Sequence, residues 1–255
     1  MTTPTAEALR VVPGDLRQAL ALGWRDFTRA PLAGMGLALV YVLAGWLITY
    51  ALTTSGQIWW TLPAAAGFPI IGPFIACGFY EISRCLEQGR PLTAKGVLGV
   101  IFRQKDRQIP SIAAIVVVFF LFWNFLAHTI FALFLGTSAM TNVSSSFQVF
   151  LTPQGFAMLA TGTVVGAAFA GVLFSLMVVS LPMLLDREVD FVTAMLTSLD
   201  VVRVSPLVML GWGAVIAASL FAAMVPGFLG LLVVLPVLGH TSWHLYRAAV
   251  SWDAV

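Results

Sequence analysis

Residues 185–206 read LDREVDFVTAMLTSLDVVRVSP, a short polar run between two long apolar segments. Within it Phe191, Met195, Leu199 and Val202 recur at helical spacing and share one face, with Asp190, Thr193, Thr197 and Asp200 opposed to them. That pattern predicts an interfacial helix that stops before Pro206. Moving back 175 positions, Leu16, Ala19, Leu20, Trp24, Phe27 and Pro31 stand in the order and spacing of Phe191, Ala194, Met195, Leu199, Val202 and Pro206, with no gap. The chain repeats itself, and the repeat sets the expected architecture.

Working outward, the 255 residues are 60% hydrophobic and only 9% charged, against about a quarter charged in soluble chains. This is the composition of a membrane protein. Six segments approach the roughly 20 helical residues that span a hydrocarbon core of about 30 Å: 32–53, 59–79, 109–135, 156–185, 207–224 and 226–245. The last two are expected to form a tight hairpin about a two-residue turn at Val225 and Pro226. Residues 1–30 hold no apolar run of signal-peptide type, so the expectation is that the first span stays in the mature chain.

The connections alternate in character. Residues 54–58, 136–155 and the turn at Val225 carry no charge, whereas the N-terminus, 80–108, 186–206 and the C-terminus hold all 13 Lys and Arg and all 11 Asp and Glu. Because basic loops stay on the cytoplasmic side, both termini are expected in the cytoplasm. In the first interfacial stretch Arg17, Arg25, Asp26 and Arg29 are read as opposing the stripe of Leu16, Leu20, Trp24 and Phe27. The second, Leu92 to Gln108, places Pro110 four residues late relative to Ala94, room for one extra helical turn. The residue before a proline avoids the α region, so Pro31, Pro110 and Pro206 each predict a bend from an in-plane helix into a span. The fold expected is all-α: one integral membrane domain over 1–255, six transmembrane helices as three hairpins, each preceded by a cytoplasmic amphipathic helix. The pseudo-repeats run about 13–84, 86–187 and 188–250. The segments from Pro73 to Arg84 and from Pro236 to Arg247 match at both ends over the same length.

Candidate chemistry is sparse. His240 and His244 lie four apart, and the repeat sets Cys77 and Glu81 opposite them. Cys, Glu and two His at one depth suit a zinc-like ion. The same side chains can instead fasten helix ends, with Glu81 and His244 pairing with each other or with Arg84 and Arg247. Asn124 and His128, also four apart, either line a solute path or bond to a neighbouring helix. Gly162, Gly166 and Ala170 form a small-residue row of the kind that admits a close neighbouring backbone, which predicts a central place for the fourth span. Cys77 and Cys85, on one helix with Cα atoms about 12 Å apart, cannot form a disulfide with each other. No Asp, Glu, Lys or Arg lies near the centre of a span, which counts against a proton or sodium antiporter. The sequence contains no GxxxxGK[ST], GxGxxG or GxSxG, and nothing in it suggests nucleic acid as a partner. The Asn142-Val143-Ser144 sequon reads as a polar loop. Trp59 and Trp60 at one boundary, and Trp24, Trp243 and Trp252 at the other, read as interface anchors.

At GWRDFTRAP (23–31), FYEISRCLEQGRP (79–91), LPMLLDREVDFVTAMLTSL (181–199) and LPVLGHTSWHLYR (235–247) the chain resembles a bacterial family of six-span inner-membrane proteins described as a domain of unknown function. The resemblance runs from Gly14 to Arg247 and implies a bacterial inner-membrane protein. More distantly, the polar helix before each span resembles the membrane domain attached to some glycerophosphodiester phosphodiesterases. Some members of the family carry the label cytochrome c oxidase subunit I. Haem and copper centres of that kind need more histidine ligands than the three present, so association with a respiratory complex is compatible with the sequence and haem–copper catalysis is not. The function expected is non-catalytic and without a cofactor: an auxiliary, assembly or scaffold protein that packs against membrane lipids or another membrane protein complex. The rival readings are a permease for a small neutral or lipid-like solute and a metal-dependent enzyme at Cys77, Glu81, His240 and His244.

Overall fold

A computed structural model describes residues 6–55, 61–136 and 150–252. Three short helices, α1 (Pro13–Arg29), α4 (Ala94–Arg103) and α8 (Phe191–Val204), precede long ones. The long helices are α2 (Pro31–Ser55), α3 (Thr61–Glu87), α5 (Ile109–Leu135), α6 (Pro153–Met177), α9 (Pro206–Met224) and α10 (Leu231–Ala249), with the seven-residue α7 (Ser180–Asp186) continuing α6. Among the described residues four stretches are long and apolar enough to cross a membrane: Pro31–Ala51, Ile109–Leu135, Pro153–Asp186 and Pro206–Met224. In α10 the second half is polar, with His240, Thr241, Ser242, His244 and Arg247, and α3 ends in Glu81, Ser83, Arg84 and Glu87.

Two of the three predicted bends fall at their prolines; before Pro110, Ile109 already belongs to α5 and the break lies at Arg107. Ala30, before Pro31, has φ −138° and ψ 53°, and Ser205, before Pro206, has φ −136° and ψ 54°. Both residues have left the α region, as a following proline ring requires. Before α5 the additional residues form a 3-10 turn, Gln104–Asp106, where the spacing left room for one extra helical turn.

The buried faces of α1 and α8 follow the predicted stripes only in part: Phe27 and Val202 are buried and Leu16, Leu20, Phe191 and Met195 pack against the core, but Asp26 and Thr197, expected opposite the stripes, are buried with them. In α1 the buried side chains are Ala19, Asp26 and Phe27, with Gly23 beside them; in α8 they are Ala194, Thr197, Ser198, Val201 and Val202. Trp24 is 53% exposed, and Asp26 is fully buried. The contact face therefore combines part of the stripe with small residues that allow close approach. Gly23 meets α10 so closely that a Cβ there would lie 2.7 Å from the Thr241 amide nitrogen. At the matching place in α8, the Ser198 hydroxyl accepts from Val179 N (3.1 Å) and donates to Ser175 O (2.8 Å). Those two groups flank the break between α6 and α7. The break follows from Pro182, whose ring displaces the carbonyl four residues before it and whose nitrogen has no hydrogen to donate.

The three short helices share one mode of contact: α4 packs on α3, α8 on α6 and α7, and α1 on α10. Likewise α5 lies against α3, α9 against α6, and α2 against α10. The termini meet in a feature that an all-α reading did not anticipate, an antiparallel pair of strands β1 (Ala6–Ala8) and β2 (Val250–Trp252), with Ala8 opposite Val250. Nor is the α9–α10 connection a two-residue turn. Residues 225–230 separate the helices, with Gly227 at φ 63° and Phe228 at φ 67°. Such a φ strains a bulky residue. Phe228 is held there by packing against Gly45 and by the bond from Trp46 Nε1 to Gly227 O (2.8 Å). Trp59, Trp60 and the Asn142 sequon lie outside the described residues.

The densest core sits at the charged end, where Met183, Met209, Trp212, Trp243, Leu245 and Tyr246 are buried together. Toward the other end large side chains such as Phe125, Leu133 and Phe221 are at least two-thirds exposed. Lipid tails are as apolar as leucine, so nothing drives those halves to pack tightly.

Substituting Gly23→Leu is expected to lower stability by about 2 kcal/mol through overpacking against Thr241. Gly36→Ala, where a Cβ meets nothing within 4 Å, is expected to be neutral or stabilising by about 0.5 kcal/mol. Thermal unfolding in detergent distinguishes the two.

Candidate functional site

The four charged segments converge at one end of the bundle and hold one another there. Asp26 on α1 accepts from His244 Nε2 on α10 (2.6 Å) and from Arg25 Nη2 (3.0 Å). His240, one helical turn before His244, directs Nδ1 to Phe79 O (3.1 Å) and to Ser83 Oγ (2.8 Å) on α3. Both His240 and Ser83 are fully buried, and His240 Nε2 has no hydrogen-bond partner. That nitrogen points toward Gly34, where a Cβ would stand 3.7 Å away. Farther out, Glu81 binds Arg84 (2.6 Å) and Arg90 (3.2 Å) and accepts from Cys85 Sγ (3.3 Å). Glu87 receives Trp243 Nε1 (2.9 Å) and Arg247 (3.2 Å), while Tyr246 donates to Asp186 (2.9 Å). Arg107 closes on Glu188 (3.1 Å), and Arg187 lies over the Trp252 ring.

Burial by itself would raise the Asp26 carboxyl. Hydrogen bonds and charge from His244, with contributions from Arg25 and Ser83, overcome that effect and hold the group below the usual carboxylate range. Chemically the arrangement is a brace joining α1, α3 and α10. A hydrolase triad sets the aspartate on the imidazole and the opposite ring nitrogen on the serine. Here Ser83 and a backbone carbonyl share Nδ1, and the carboxylate sits on the other histidine.

The four metal candidates are not brought together. Cys77 packs in the apolar core, Glu81 is taken by two arginines, His244 by Asp26 and His240 by Phe79 and Ser83. Among the described residues no group of three or more His, Cys, Asp and Glu could hold a metal ion. Glu81 pairs with Arg84, one of the partners expected for it; His244 takes Asp26, which the sequence reading had placed on the solvent side. A signal for Asp26 was present. At the 175-residue offset its counterpart is Val201, a buried apolar position.

Asn124 and His128 turn back on their own helix, Asn124 Nδ2 donating to Phe120 O (2.9 Å) and His128 Nδ1 lying 2.7 Å from Asn124 O. Neither lines the neighbouring groove. That groove, of about 850 Å³, runs between α5, α6 and α9 and is walled by side chains such as Phe119, Trp123, Phe131, Phe169 and Phe221. Gly162, Gly166 and Ala170 also line it. A Cβ on Gly166 would touch the Trp123 ring at 2.9 Å, and one on Gly162 would meet nothing within 4 Å. The small-residue row thus faces an indole and open space, where the sequence suggested a helix backbone.

Residues 61–186, which supply α3 to α7 and with them Ser83, Glu81 and two walls of the groove, match the family model described as "Predicted integral membrane protein (DUF2189)". That segment belongs to this family. No curated protein and no solved structure matches the chain. The family is one of integral membrane proteins of unknown function, so the site carries the functional argument.

Asp26→Asn leaves buried partners without their charge and is expected to cost about 3 kcal/mol at pH 7. The sign of the pH dependence follows from the depressed folded value: the stabilisation is complete above the ordinary carboxylate range and is lost as pH falls from that range down through the lowered folded value. The melting-temperature gap between wild type and Asp26→Asn should therefore narrow progressively as pH is lowered below about 5, as thermal unfolding on an acid series would reveal.

Proposed function

We propose that the protein is a non-catalytic bacterial inner-membrane scaffold or auxiliary subunit, crossing the membrane six times with both termini in the cytoplasm. Each unit is an interfacial helix and a hairpin: α1–α2–α3, α4–α5–α6/α7 and α8–α9–α10. The cyclic contacts support this reading, since every interfacial helix rests on the inward-returning helix of the unit before it and α1 closes the ring on α10. The matching bends at Ala30 and Ser205 support it too.

The observation that carries the function is the groove. Two junctions of the ring are close. At α10–α2 a Cβ on Gly34 would lie 2.9 Å from Pro236, and α5 lies along α3. The third junction, α6–α9, is splayed into an aromatic-walled trough at membrane depth. Small residues on α6 leave it unfilled, and Thr163 supplies the one hydroxyl in its wall. Such a surface suits the apolar face of another membrane protein's helix. The inward faces of the interfacial helices are already occupied within the chain, so contact with a partner falls to the groove instead. The trough also favours a second reading, passage of a lipid-like solute, because its volume is within the range of about 300–1,000 Å³ typical of ligand sites.

A photocrosslinking residue at Leu159, in the groove wall, is expected to give a discrete protein adduct in cells, whereas one at the outward-facing Val164 gives none. A lipid adduct at Leu159 favours the second reading. Equal background at both positions, with a partner-free monomer after mild detergent extraction, contradicts both.

A further inference from the structure

The three interfacial helices carry both paired and unpaired charge. On α1, Arg25 is tied to Asp26 while the exposed Arg17 and Arg29 form no ion pair among the described residues, and on α8, Arg203 is tied to Asp200 (3.1 Å). On α4 and its 3-10 turn, Lys95, Arg103 and Lys105 are exposed and form no ion pair among the described residues. The nearby Glu188 is engaged by Arg107, and Asp106 alone leaves the patch two positive charges in excess.

Apolar side chains lie on the same arc as these cations. At 100° per residue Lys95, Leu98, Phe102 and Arg103 fall within less than half the circumference of α4. Phe102 is 68% exposed and Leu98 47%. The opposite side is taken up by Val97 and Val100, which are buried, and by Ile101, which reaches Gly78 on α3. Thus α4 is fixed to the bundle by one face and offers on the other two large apolar groups bracketed by cations. A solvated cationic face has no reason to carry an exposed phenylalanine and leucine between its charges. A helix lying in the interface has one, because the apolar groups enter the acyl boundary while Lys and Arg reach phosphate level.

We propose that this face of α4 is a binding surface for phospholipids of net negative headgroup charge, with Lys95, Arg103 and Lys105 on the phosphates and Leu98 and Phe102 among the acyl chains. Free phosphate would use the cations and leave the two apolar groups without a role. The inference rests on the in-plane reading of the interfacial helices given above and is independent of what fills the groove.

The test uses the full chain in mild detergent with an equimolar mixture of phosphatidylglycerol and phosphatidylcholine of the same acyl composition, and native mass spectrometry as the readout of retained lipid. Wild type is expected to retain phosphatidylglycerol in preference, and each of Lys95→Gln, Arg103→Gln and Lys105→Gln to reduce that preference about fivefold, as expected for a cation near the membrane surface. Arg203→Gln, whose arginine is already paired, should leave the preference intact. Phe102→Ser should lower retention of both lipids with their ratio unchanged. All five positions are exposed, and unaltered melting temperatures verify that the variants are folded. Equal retention of the two lipids by wild type, or a preference that survives the triple substitution, overturns the proposal. Neither result bears on crosslinking at Leu159.

Discussion

The carboxylate of Asp26, shut away from water between His244 and Arg25, is the interaction on which the charged end depends. An unpaired ion cannot stand in apolar surroundings without a penalty of several kcal/mol, so its partners must be held in place. They come from α1 itself and from α10, at opposite ends of the chain. The same requirement recurs at Glu81, Glu87 and Asp186, whose arginine and tyrosine partners lie on α3, on α10 and, for Arg90, in the segment after α3. Ion pairs and strands link the N-terminal, 80–108, 186–206 and C-terminal segments. Together they form a plate that is polar in composition yet closely packed.

From that plate the long helices extend into a region with the opposite rule. Where the surroundings are hydrocarbon, an exposed leucine costs nothing, and close approach needs small residues or hydrogen bonds. Gly23 against Thr241, Gly34 against Pro236 and Gly239 against Phe79 provide it near the plate. Farther along, the contacts thin and the helices part. The groove beside α6 is the product of both effects: the break at Val178 and Val179 redirects α6, and its glycines offer nothing to refill the space.

Most of this architecture was legible in the sequence. The helix at 191–204, the bends before Pro31 and Pro206 and the confinement of charge to alternate segments follow from spacing and composition, and the structure has each of them; before Pro110 the break comes earlier, at Arg107. The orientation of the interfacial helices was not legible, because a hydrophobic stripe marks the side that avoids water without distinguishing protein from lipid. Trp24 avoids water and faces outward; Ala19 and Gly23 make the contact. Asp26 was assigned to solvent for the same reason, since an aspartate on an amphipathic helix is ordinarily exposed, and only a partner 218 residues away makes its burial possible. The strand pair and the six-residue turn at 225–230 escaped because three-residue strands have no period to detect and because a left-handed Phe228 is set by its fit to Gly45.

The central claim is that every ionic group lies at one membrane surface, facing the cytoplasm. Single cysteines in a background lacking Cys77 and Cys85, probed in intact cells with a membrane-impermeant maleimide, test it most directly. With Lys105→Cys and Arg203→Cys on the charged plate and Leu151→Cys at the far end, the account predicts labelling at position 151 alone, and labelling at all three once the membrane is opened. Labelling at position 105 or 203 in intact cells would contradict it.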